Sequence, residues 1–134
     1  MYKLDSLLNG WHGNAATGSF EDYFAFTHAQ FIFLGTDSTE RWTKEEFKAF
    51  CEPHFKDGKG WDFEVISRNW MTNKDSTVWW FDEQLGTWMN DCRGSGVVLV
   101  EDQEAKIVHY NLSVTIENDL VNRYISLKDS IHGR

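Results

Sequence analysis

Leu4, Leu7, Leu8 and Trp11 recur at i, i+3, i+4 and i+7, so the chain opens with a predicted helix whose apolar face they form. Asn9-Gly10 or Gly13 is expected to end it. Ser19 with Asp22 reads as an N-cap with an acid in the first turn, and Phe20, Tyr23, Phe24 and Thr27 share the face of a short second helix. Gln30 to Gly35 is too brief an apolar run for a helix and reads as a buried strand. Thr43 and Glu46 form a capping box that opens a third helix, followed at helical spacing by Phe47, Phe50, Cys51 and His54. Pro53 is expected to kink or tighten that helix near its end, before Gly58 or Gly60 stops it.

From Trp61 the period changes to two. Segments 62–72, 77–85, 92–101 and 105–116 are rich in Val, Ile, Trp and Phe, and short turn sequences such as Asn73-Lys74-Asp75-Ser76 and Asp102-Gln103 separate them. Four such strands in succession predict an antiparallel meander. Leu120, Val121, Tyr124 and Leu127 give 118–131 helical spacing, as a helix or tail. Helices first and an antiparallel sheet after define an α+β fold in one domain, residues 1–134, with its core at about 4–120 and the helix or tail at 121–134.

The sheet carries the candidate chemistry. With Asp102-Gln103 as a two-residue turn, Val97 faces Val108, Ser95 faces Tyr110 and Arg93 faces Leu112. Pairing Asp82 with Ser95 then groups Trp80, Asp82, Arg93, Ser95 and Tyr110 on one largely apolar surface, the composition of a small-molecule pocket. Trp79, Phe81, Glu83, Val98, Ile107, His109 and Asn111 fall on the other surface, which suits a subunit interface. A one-residue slip exchanges the faces and puts Glu83 and His109 in place of Asp82 and Tyr110.

Composition narrows the setting. Thirteen Lys and Arg against twenty-one Asp and Glu give a net charge of −8, which disfavours nucleic acid as a partner. Seven Trp and ten Phe are too much apolar area for a disordered chain. No apolar run approaches the ~20 residues needed to cross a bilayer, so no membrane association is expected. The N-terminus lacks the features of a secretory signal, and Cys51 and Cys92 lack CxxC spacing, so a cytoplasmic protein with two free thiols is expected. GxGxxG, Walker A, HExxH and EF-hand motifs are absent and the five His are scattered, so no metal or cofactor is implied. Asn111-Leu112-Ser113 matches a glycosylation acceptor but falls inside a predicted strand, which favours chance.

Phe33-Leu34-Gly35-Thr36-Asp37, Glu40-Arg41-Trp42-Thr43, Trp80-Phe81-Asp82-Glu83, Cys92-Arg93-Gly94-Ser95-Gly96-Val97, Lys106-Ile107-Val108-His109-Tyr110 and Asn118-Asp119-Leu120 are co-linear elements. Together they resemble the SnoaL-like branch of the nuclear transport factor 2-like superfamily, over about residues 4–120. The resemblance implies a cone of curved antiparallel sheet wrapped around three N-terminal helices (cystatin-like), a pocket at its wide end, and a homodimer formed through the sheet. Folds of this kind serve isomerases, cyclases and dehydratases but also binding and scaffold domains, so the site must decide. The chain departs from the cyclase pattern in having no His-Asp pair at the motif positions.

Two functional readings follow. One is a cofactor-independent acid/base enzyme acting on a small hydrophobic carbonyl or ring compound. In it Asp82 is the proton shuttle, Arg93 and Tyr110 are oxyanion donors, Trp42 and Trp80 are pocket walls, and Ser95 is a ligand contact. The other is a non-catalytic dimeric ligand-binding or interaction domain, in which Asp82 and Arg93 form a cross-strand ion pair.

Overall fold

The computed structural model describes residues 3–133. Helices α1 (Leu4–Thr17) and α2 (Phe20–Ala25) lead into strand β1 (Thr27–Leu34), the short strand β2 (Arg41–Thr43) and helix α3 (Lys44–Phe55). Strands β3 (Glu64–Thr72), β4 (Val78–Thr87), β5 (Asn90–Glu101) and β6 (Glu104–Val114) follow, then a 3-10 turn at Asn118–Leu120 and helix α4 (Val121–His132). The six strands form one sheet in the order β2-β1-β6-β5-β4-β3, whose buried side packs against α1, α2 and α3. The fold is α+β, as the order of helices and strands predicts.

Helix α1 runs past Gly10 and Gly13 to Gly18, which takes φ +67° and closes the helix with its N–H on the Ala15 carbonyl at 3.2 Å. Packing overrides propensity here: a Cβ at Gly10 would stand 3.3 Å from the Phe26 ring, so the small residue lets that ring approach. Helix α3 opens on its capping box, with Thr43 Oγ1 accepting from the Glu46 N–H and Glu46 Oε1 accepting from the Thr43 N–H at 2.9 Å. It continues through Pro53 to Phe55. Strand β1 begins at Thr27 rather than Gln30 and pairs with β2 on one side and, in parallel, with β6 on the other. Helix α4 buries no residue, and Tyr124, Ile125, Leu127 and Ile131 stay exposed on it.

The meander β3 to β6 carries one irregularity that decides the faces. Asp102 and Gln103 both take positive φ, +52° and +65°, the geometry of a tight type I′ hairpin, and Val98 pairs with Ile107 as that turn requires. The register then shifts by one residue, so Val97 pairs with His109, Ser95 with Asn111 and Arg93 with Ser113. The extra residue in β6 lets Ile107 and Tyr110, three apart, both turn inward. On β4 and β5 the buried face is Phe81, Glu83, Leu85, Cys92, Gly94, Gly96 and Val98, the reverse of the predicted partition. Asp82 does pair with Ser95, on the outer side.

Candidate functional site

A cavity of about 160 Å³ opens between the buried side of the sheet and the helices. Its walls are mostly rings, among them Phe33, Trp42, Phe47, Trp61 and Phe63, and Trp88 and Met89 of the β4–β5 turn stand with Glu40 among its other lining residues. An apolar cavity near 150 Å³ holds a benzene-sized ring. That sets the scale of the ligand part it encloses.

Two strands and one helix converge on a carboxylate beside this cavity. Glu83 of β4 has a fully buried side chain, and its Oε2 lies 2.7 Å from Nε2 of His12 on α1. The Tyr110 hydroxyl of β6 donates to the same oxygen at 2.6 Å. Arg68 of β3 donates from Nε to Oε1 at 2.8 Å, while its Nη2, 2.7 Å from that oxygen, is not directed for a second hydrogen bond and acts as an ionic contact. Arg68 Nη1 reaches on to Asp5 Oδ1 at 3.2 Å and Asn9 Oδ1 at 3.0 Å. Burial pushes the Glu83 carboxyl up, but the His12 hydrogen bond and charge, the Tyr110 hydroxyl and the Arg68 charge together hold it below the usual carboxylate range.

The direction of that shift fixes the roles. An ionised Glu83 only accepts, so His12 carries a proton on Nε2 and presents Nδ1, which bonds to no described residue. His12 and Tyr110 both line the cavity. Burial and the neighbouring Glu83 charge raise the Tyr110 phenol well above its ordinary range, keeping it a neutral donor committed to the carboxylate. Burial likewise raises Tyr23, another lining residue, whose hydroxyl has no hydrogen-bond partner among the described residues. The result is an imidazole oriented by a carboxylate, facing an apolar cavity that also holds a neutral phenol. Such an arrangement can accept a proton at one atom and donate a hydrogen bond at another.

The structure divides the sequence-predicted site residues. Tyr110 and Trp42 line the cavity. Asp82, Arg93, Ser95 and Trp80 lie on the outer face of the sheet, because β4 and β5 present their other parity inward. Asp82 accepts from Asn69 Nδ2 at 3.1 Å and lies with Arg93 along a polar groove there, so neither reaches the cavity. Tyr110 is spent on Glu83 instead of facing an oxyanion. His12, Arg68 and Tyr23 have no place in the sequence-based site, and Glu83 enters it only as the alternative to Asp82 that a one-residue slip brings in. The readable signal for His12 was its spacing: Leu4, Leu8 and His12 follow at i, i+4 and i+8, which puts an imidazole on the buried stripe of α1.

Among the described residues no group of three or more His, Cys, Asp or Glu is placed to hold a metal ion, and no helix is long and apolar enough to cross a membrane. Fold and cavity together define an α+β pocket domain. The chain belongs to the SnoaL-like domain family, whose model matches residues 4–117. No functionally curated protein matches it in sequence. Among solved structures it is similar to a nuclear transport factor 2-like protein of unknown function from Pseudomonas putida, with TM-score 0.70 and 10% identity over 87% of each chain. It is also similar to a cystatin-like-fold protein of unknown function from Nostoc punctiforme, with TM-score 0.67 and 10% identity over 84% of this chain and 89% of that one. A nuclear transport factor 2-like protein from Cytophaga hutchinsonii gives TM-score 0.63 and 16% identity over 86% of this chain and 100% of the other. At these identities the likeness is one of fold.

Proposed function

We propose that the cavity is the active site of a cofactor-independent acid/base enzyme acting on a small hydrophobic carbonyl or ring compound. The observation that carries this reading is the 2.7 Å contact between His12 and the buried Glu83 at the cavity. His12 Nδ1 takes a proton from the carbon beside a carbonyl, and the C–H electron pair moves into an enolate. The enolate oxygen is steadied by the Tyr23 hydroxyl, and the imidazolium returns the proton at another carbon. Glu83 anchors the imidazole, Tyr110 and Arg68 hold Glu83, and Trp42 is a wall.

Exchange of ligand C–H for deuterium in D2O, followed by NMR over a panel of small cyclic ketones, tests it. Wild type is expected to catalyse exchange, and His12→Asn to slow it by about 10²–10⁴-fold, the usual range for a general base. Equal rates in both proteins would remove His12 from the mechanism. Absence of exchange across the panel, with ligands still bound, would favour the non-catalytic binding domain.

The outer face of the sheet supports a homodimer. Met71, Trp80, Val97 and His109 lie in one cross-strand row there, with Met71 and Trp80 exposed. Sedimentation equilibrium at micromolar concentration is expected to give a dimer for wild type and a monomer for Trp80→Lys. A monomeric wild type would refute the interface.

A further inference from the structure

We propose that the small carbonyl or ring compound this cavity takes also carries a positive charge: a small alkylammonium group seated among the rings. The inference rests on the reading of the cavity as the ligand site and concerns the charge of what enters it.

The lining residues include neither Lys nor Arg. An anionic ligand would therefore lose its hydration without gaining a cationic partner, a penalty that buried charges do not survive unpaired. The lining residue with a full negative charge is Glu40. Its position is fixed: Oε1 accepts from the Asp37 N–H at 3.0 Å, and the Glu40 carbonyl accepts from the Gly35 N–H at 2.9 Å, closing the β1–β2 loop on itself. Arg68 balances Glu83 at the other end, so the uncompensated charge on the lining is the Glu40 carboxylate.

The walls act in the same direction. Ring faces carry negative electrostatic potential, and several Trp and Phe rings around one small volume attract a cation where they would only tolerate a neutral group. Trp88 adds a separate observation. It sits on the two-residue turn between β4 and β5, is 81% exposed, and no described ring stacks on it. An indole left in water at the edge of an aromatic cavity costs apolar burial that any interior position would have supplied. A ligand ammonium beneath it makes use of that open face.

Isothermal titration calorimetry with three compounds of nearly one shape reads the charge preference directly. They are choline (cation), 3,3-dimethylbutan-1-ol (neutral) and 3,3-dimethylbutanoate (anion). Choline is expected to bind at least about tenfold more tightly than the alcohol, and the carboxylate not to bind. Glu40→Gln and Trp88→Ala are each expected to weaken choline by a larger factor than the alcohol, a charge-selective loss that general unfolding would not produce. Alcohol binding as tightly as choline, or carboxylate binding more tightly than either, overturns the charge assignment and leaves the cavity as a ligand site. Binding of none of the three also overturns the charge assignment, and the exchange assay with cyclic ketones then decides the ligand-site reading separately.

Discussion

Replacing Glu83 by Gln is expected to cost the fold about 3 kcal/mol, seen as a lower denaturation midpoint with an unchanged m-value and a melting temperature lower by about 10 °C. The cause is the group left behind. Arg68 has a side chain only 5% exposed, and without Glu83 its guanidinium keeps one charged partner, Asp5, at 3.2 Å and largely in water, beside the neutral Asn9 Oδ1 at 3.0 Å. Removing one partner of a buried pair costs about 3–5 kcal/mol, and the surviving Asp5 contact puts the expectation at the lower end. Glu83→Gln combined with Arg68→Met removes the stranded charge as well, so the double variant is expected to be more stable than the single one. A single variant within about 0.5 kcal/mol of wild type would mean that the cluster does not hold the sheet to α1.

The same carboxylate sets an acid limit. Its folded value lies below its ordinary 4.5, so the stability it contributes is fully present above that value and is lost as the pH falls through the folded one. Wild type is therefore expected to lose its margin over Glu83→Gln below about pH 4.5.

Local signals in the sequence located most elements, because each depends on neighbours close along the chain. The Thr43–Glu46 capping box, the Asp102-Gln103 turn and the alternating runs of β3 to β6 are of this kind. What local signals could not carry was set by contacts across the fold. Strand β2 spans three residues, too few for a period, and the parallel pairing of β1 with β6 joins residues 77 to 80 positions apart. The faces of β4 and β5 were ambiguous because both parities are apolar: Val78, Trp80, Val97 and Leu99 on one, Phe81, Leu85, Val98 and Val100 on the other. The bulge at Val97/Val98 opposite His109 then broke the parity of β6, so Tyr110 went inward with Glu83 rather than with Asp82. The site was hidden for the same reason. His12 and Glu83 are 71 residues apart, and only the packing of α1 against the sheet brings them together.

One feature of the sequence did mark the buried face, and it yields the second large effect. Gly94→Ala is expected to destabilise the protein by about 3 kcal/mol, although Gly94 has no positive φ and an unstrained Gly→Ala change ordinarily gains about 0.4–1 kcal/mol. The sign reverses because of what lies over that backbone. A Cβ there would overlap the Tyr110 hydroxyl and stand 2.9 Å from Glu83 Oε2. Overpacking costs about 1–3 kcal/mol, and pushing the phenol off its carboxylate forfeits a charged hydrogen bond worth about 1.5–3 kcal/mol. Adding Tyr110→Phe removes the overlapping hydroxyl but leaves the ring carbon Cζ 2.7 Å from that Cβ, so the double variant is expected to recover only part of the loss in a thermal melt. A neutral or stabilised Gly94→Ala would show that Tyr110 does not lie against this strand. Glycine at 94 and again at 96, where the Phe81 ring and the His109 carbonyl crowd the backbone, is the inward-facing parity written into the chain. An outward face has no ring above it and no need of a missing side chain.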